Sequence, residues 1–277
     1  AIVDSLDLRL FDYRLRNASP IQLALDRHAM RVTEMRLVGD ETQLDISGVV
    51  DLHDERIDLR ATGDAGLGLL QGFVPDIRSS GRASLEATFQ GPMRNPAVTG
   101  TLRVEDGRIR HFDLPHALEN IYGPVRFDTR GIRLDEVTAR LGGGPVRFGG
   151  RIDIEEYRPT RVDVTIRGEG MRLRFPEGMR SLVDADLTVQ GAVEAPLVAG
   201  TVQVRNALYT GQFDASGGLF SRGTTDAAGS AGSGGSLTSS VPVRYDVRIV
   251  APGTLEIRNS TARLVSSVDL QLRGTFD

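Results

Sequence analysis

The chain contains no cysteine, no tryptophan and no lysine. The first absence excludes disulfides and thiolate metal sites outright. With no tryptophan, and aromatic residues at only 5%, there is little material for stacking sugars or bases. All 33 basic residues are arginine, which reads as codon usage rather than function. The longest apolar run, residues 66–74, falls far short of the ~20 residues a membrane helix needs. The opening Ala1-Ile2-Val3-Asp4 starts inside an alternating pattern and carries no signal peptide. The expectation is a segment of a larger protein, with any membrane anchor or export signal lying outside it. A net charge of −4, with acids and bases interleaved, gives no reason to expect nucleic acid as a partner.

What is present is period two. Val162, Val164 and Ile166 alternate with arginine, aspartate and threonine, and so do Val243, Tyr245, Val247 and Ile249. The pattern recurs at Val125-x-Phe127, Val146-x-Phe148, Ile152-x-Ile154 and Val268-x-Leu270-x-Leu272. Such alternation puts one strand face on a core and the other in water. Short turns such as Ser47-Gly48, Asp106-Gly107 and Gly149-Gly150 separate the runs, which indicates antiparallel meanders. Two stretches depart from it, residues 64–80 and 114–122. Leu67, Leu70 and Phe73, and likewise Leu114, Leu118 and Ile121, fall at helical spacing. One or two short helices capping an apolar channel are expected there.

The sequence also repeats itself at about one hundred residues. Residues 88–104, TFQGPMRNPAVTGTLRV, return as residues 188–204, TVQGAVEAPLVAGTVQV, with Gly91/Gly191, Pro96/Pro196 and Gly100/Gly200 in register. A second echo joins residues 44–52 to residues 146–154. In each copy a strand is expected to end at glycine, a proline loop to follow, and a new strand to open with Gly-Thr. Residues 211–240 break the pattern: half of these thirty are glycine or serine. They read as a flexible insertion, with Phe213, Leu219 and Phe220 as anchors if the segment docks. The expected organisation is a first β-repeat region over residues 1–110, a second over 111–210, the insertion over 211–240, and closing strands over 241–277.

The duplicated pattern of strand, glycine, proline, Val-x-Gly-Thr and strand resembles the repeat of the TamB family and its AsmA-like relatives. Residues 182–191 leading to Pro196 and Gly200, and residues 245–249 leading to 255–259, add to the likeness. The resemblance implies an all-β fold: a repeated antiparallel meander forming a long sheet curled lengthwise into a taco with an apolar inner groove. It further implies a periplasmic segment of a protein anchored in the inner membrane, which moves phospholipid between the inner and outer membranes. Phospholipid, an outer-membrane barrel-assembly protein of the TamA kind and neighbouring repeats of the same chain are the implied partners. On that reading the apolar alternate positions line the groove: Leu85, Phe89, Val104, Val125, Phe127 and Val146 in the first half. Phe148, Ile152, Val162, Val164, Ile166, Leu187 and Val189 follow, then Val204, Val243, Tyr245, Val247 and Leu270. Phe175 is a further candidate.

Other readings stay open at this stage. The sheet could be a scaffold for outer-membrane protein assembly or secretion, pairing its strand edges with a barrel-assembly partner. It could instead be a closed sandwich or solenoid whose phenylalanines are plain core. Catalysis and cofactors are not expected. His28, His53, His111 and His116 lack metal-ligand spacing. Asp153, Glu155, Glu156, Asp184 and Asp186 sit on alternating strand faces as solvated charges, and Gly142-Gly143-Gly144-Pro145 precedes no helix.

Overall fold

The computed structural model describes residues 2–10, 13–26, 28–72, 76–112, 115–156, 158–174, 178–210, 242–258 and 263–276. Phe73, Leu114, Phe175 and the insertion at 211–240 lie outside them. The described residues form one sheet of seventeen strands that does not close on itself. In chain order these are β1 (Ile2–Val3), β2 (Asp7–Leu10), β3 (Tyr13–Asn17), β4 (Ile21–Leu25), β5 (Ala29–Gly39) and β6 (Thr42–Asp51). Then come β7 (Arg56–Gly66), β8 (Ile77–Pro92), β9 (Ala97–His111), β10 (Leu118–Asp128), β11 (Gly131–Leu141) and β12 (Gly144–Glu155). The last five are β13 (Arg158–Leu173), β14 (Met179–Ala192), β15 (Leu197–Tyr209), β16 (Val243–Arg258) and β17 (Arg263–Phe276).

From β5 to β15 each strand pairs antiparallel with the next, as alternation with short turns dictates. The far end forks: β4 pairs with the first half of β5 and β3 with its second half. At the other end the meander breaks its rule, because β16 lies parallel to β15. Tyr209, at the end of β15, and Val243, at the start of β16, therefore lie at opposite rims of the sheet.

Most of the long strands are interrupted near their middles by a bulge. Register shifts fall at Val32/Met35, Ser80/Arg82, Leu134/Val137, Gly168/Met171 and Ala251/Leu255. Asp106, Asn120 and Glu136 take φ near +50° at these points. An extra residue on one strand bends it and increases its twist. Each bulge therefore bends the strand it interrupts. The bulges also explain one departure from expectation. Residues 115–122 hold no helix: Leu118 begins β10, and the bulge at Asn120 brings both Leu118 and Ile121 to face β9 despite a spacing of three. The other departure is a real but short 3-10 helix, Leu67–Gly72, at one rim. Its Leu67 carbonyl accepts the Ser79 hydroxyl at 2.8 Å, which seats Leu67 on the inner face.

The hundred-residue duplication is structural. Asn95 and Ala195 donate equivalent turn bonds to the carbonyls of Pro92 and Ala192, at 3.1 and 3.0 Å. Gly100 and Gly200 do not open strands as expected but lie within β9 and β15. A Cβ on either would sit 2.3 or 2.2 Å from a carbonyl oxygen of the preceding strand, so close backbone approach is what demands glycine there.

Candidate functional site

Residues paired across neighbouring strands project to the same face, so register alone assigns each side chain. One unbroken row crosses thirteen strands: Leu37, Leu44, Gly63, Leu85, Leu102, Val125, Leu134, Gly150, Val164, Val189, Val198, Tyr245 and Gly274. At about 4.8 Å per strand it runs roughly 60 Å. A parallel row, nearer the rim formed by the Pro96 and Pro196 turns, reads Ile46, Ala61, Ala87, Gly100, Phe127, Ile132, Ile152 and Val162. A third, nearer the helix rim, reads Val137, Phe148, Ile166, Leu187, Gly200, Val247 and Leu272. The alternation along each strand carries the eighteen positions named from the sequence to this one inner face.

They do not share one environment. Val104, Val146, Val164 and Val247 are buried, at 7%, 1%, 8% and 6% exposure, whereas Leu270 is 55% exposed on the last strand. The other thirteen are half-buried. Two packed clusters lie on this face. Leu67, Ala83, Val104, Ile121, Val137 and Ala139 form one, and Val146, Met171 and Val183 the other. Phe148 packs against both, and Val125, Ile166 and Val204 against one or the other. Gly107 makes room here, since a Cβ on it would lie 2.8 Å from a Leu67 methyl. Toward the proline rim Phe89, Phe127, Ile152, Val162 and Val189 stay half-buried and belong to neither cluster. The lining thus divides into positions engaged in the two clusters and half-buried apolar positions outside them, with Val50, Ala61, Ala87 and Val164 also buried.

The outer face is charged and internally matched. Arg36 meets Asp45 at 2.7 Å, Arg248 meets Asp269 at 2.6 Å, and Asp246 accepts from Gln271 and Arg273. The carboxyl of Asp184 is pulled two ways. Burial raises it, but the Gly170 N–H and the Arg205 guanidinium outweigh that and hold it below the usual carboxylate range. Hydrogen bonds from Arg273 and Gln271 lower Asp246, and the bond from Arg248 lowers Asp269. These are matched ion pairs; a general acid would need a carboxyl pushed upward. Among the described residues no cluster of histidine and carboxylate could hold a metal. His28 and His53 face each other with ring centres 5.0 Å apart, and His116 accepts the Arg174 backbone N–H at 2.8 Å. No described helix is long and apolar enough to cross a membrane.

The bulges went unread in the sequence. Their only signals were the acidic or asparagine residues at positive φ, inside runs that otherwise read as plain strand. No curated protein and no solved structure matches the chain. The family model of the TamB C-terminal domain matches residues 135–277, just over half of it, from the middle of β11 to the last residue. With that match, the duplicated strand unit and the open curled sheet, the chain belongs to the TamB family of envelope proteins.

Proposed function

We propose that the inner face shields phospholipid acyl chains on their way between the inner and outer membranes, in a protein anchored to the inner membrane and spanning the periplasm. The observation that carries this reading is the continuous apolar row from Leu37 to Tyr245, flanked by the half-buried apolar positions outside the two clusters. Each methylene removed from water contributes about 0.8 kcal/mol, so an acyl chain crossing water unshielded meets a barrier above roughly 10 kcal/mol. A lining without gaps lowers that barrier along its whole length, while the head group stays at the open mouth. The segment needs neither nucleotide nor metal for this. A barrel-assembly protein of the TamA kind at the outer membrane is the partner this reading implies.

A second reading has its own observation. Among the described residues, strand β17 is paired on one side only, with β16, and exposes Leu264, Val265, Leu270 and Leu272 at 54%, 70%, 55% and 46%. A long apolar edge is a template for pairing with another strand. On this reading the segment is a scaffold for outer-membrane protein assembly.

Organic extraction and mass spectrometry of the envelope-expressed chain separate the two. Stoichiometric phospholipid that is lost in Val189→Asp and kept in the outward control Arg94→Ala supports the groove. Phospholipid at background level in the unaltered chain sinks it and leaves the scaffold. Val189 is the better probe than Phe148, because a charge at Phe148 also disrupts two core clusters.

A further inference from the structure

The two rims differ in charge. On the outer face near the helix rim, Arg78 and Arg110 stand directly opposite each other across β8 and β9, with Arg108 two residues away. Like charges in cross-strand register are unfavourable unless something negative joins them. Among the described residues, Arg108 pairs with Glu119 at 3.3 Å, and no carboxylate lies within ion-pair distance of Arg110. Asp113, in the adjoining turn, is outside the described residues. Arg78 lies 5.6 Å above the ring of Phe112, which is 55% exposed.

These residues meet a formed recess of about 240 Å³, lined by Arg108, Arg110, Pro115, His116, Ala117, Glu119 and Gly142. The turn at residues 115–117 is fastened over the outer face by one long-range bond: the backbone N–H of Arg174, 58 positions away, donates to Nε2 of His116. With Nε2 accepting, a neutral His116 ring carries its proton on Nδ1 and remains a donor. Arg172 flanks the same recess. Its backbone N–H donates to the Gly142 carbonyl at 3.2 Å, and its guanidinium lies 3.5 Å from the place a Cβ on Gly143 would take. Two arginines and a histidine thus line one concavity that holds a single carboxylate, with Arg172 beside it.

We propose that this recess binds a phosphate group. Guanidinium forks match phosphate oxygens two at a time, and the recess is large enough for one such group with its ester substituent. A lipid head group and free inorganic phosphate share this chemistry, and the lipid source rests on the function proposed above. Ile109 lies on the inner face between Arg108 and Arg110, so the recess and the lining are separated by a single strand at the rim.

The test is a titration of the whole chain, followed by NMR of its arginine and histidine side chains. The probes are inorganic phosphate and a dihexanoyl phosphatidylglycerol below its micelle concentration. Saturable shifts at His116 and Arg110, weakened about tenfold in Arg110→Gln and unchanged in the opposite-rim control Arg94→Gln, support the site. Tighter binding of the short-chain lipid than of inorganic phosphate, weakened in Arg110→Gln, identifies the phosphate as a lipid's. Equal affinity for both probes, weakened equally in Arg110→Gln, supports the site as one for free phosphate and counts against a lipid source. Co-purified phospholipid whose amount and affinity do not respond to Arg110→Gln, with no shift from inorganic phosphate, overturns the site and leaves the groove standing.

Discussion

The two copies of the hundred-residue unit fold alike through β9 and β15 and then part. In the first copy six residues, 112–117, turn β9 back into an antiparallel β10. In the second, thirty-three residues separate Tyr209 from Val243, and β16 lies parallel to β15. A short turn leaves a strand no choice but to reverse beside its neighbour, whereas a parallel neighbour requires a long crossover. The difference shows how this sheet grows. The apolar face is copied strand by strand, while strand direction is set by the length of the connection. The lining survives the change because Val198 opposite Tyr245, and Val202 opposite Ile249, keep the inward positions in register through the parallel pair.

The strongest way to break this comparison is to shorten the connection. A two-residue link reaches roughly 10 Å and cannot carry the chain across a strand of thirteen residues. Replacing residues 210–242 by Gly-Gly is expected to abolish the parallel ladder. Ala199→Cys with Asp246→Cys reports it, since the two positions are paired and the chain has no other cysteine. The disulfide is expected in the full-length connection and lost in the short one.

Next in size is a charge in a packed cluster. Val146→Asp places an unpaired carboxylate at a position 1% exposed and is expected to cost roughly 4 kcal/mol or more, read as a lowered urea midpoint. Equivalent glycines come third. Gly48 and Gly150 occupy matching places, with φ of +139° and +129° and a would-be Cβ 2.1 and 2.2 Å from a carbonyl. Alanine at either is expected to cost roughly 2–4 kcal/mol, and unequal costs would show that the copies are not physically equivalent.

Fourth, Phe89→Asp and Val189→Asp, at corresponding half-buried sites, are each expected to cost under about 1 kcal/mol while removing most co-purified phospholipid. The smallest effect is acid loosening of the strands around Asp184. Asp184 is held below the ordinary carboxylate range, and Ser84 stands at the matching position of the first copy. A lowered folded value contributes stability that is present above the ordinary value of 3.8 and is lost as pH falls through the folded one. Faster amide exchange in β14 and β15 below about pH 4, flattened by Asp184→Asn, is the expected reading.

Much of the fold was legible because period two is a strong signal. Val162, Val164 and Ile166, or Val243, Tyr245 and Val247, could face only one way once any of them did. Depth was not legible. Val164 and Leu270 carry the same alternation, yet one has strands on both sides and the other ends the sheet, so their exposures are 8% and 55%. The helix expected at residues 114–122 failed because a bulge converts strand periodicity into a spacing of three. The parallel β16 was hidden for another reason: alternation says nothing about direction. The arginine recess could not be foreseen because Arg110, His116 and Gly142 come from three separate segments that the strand pairing brings together.

The most direct test of the central claim is a photo-crosslinking scan along β14 in the envelope, with a benzophenone amino acid placed singly at residues 186 to 190. The account expects phospholipid adducts from positions 187 and 189, on the inner face, and none from 186, 188 and 190. Adducts without this alternation, or lipid captured only from the outward positions, would contradict it.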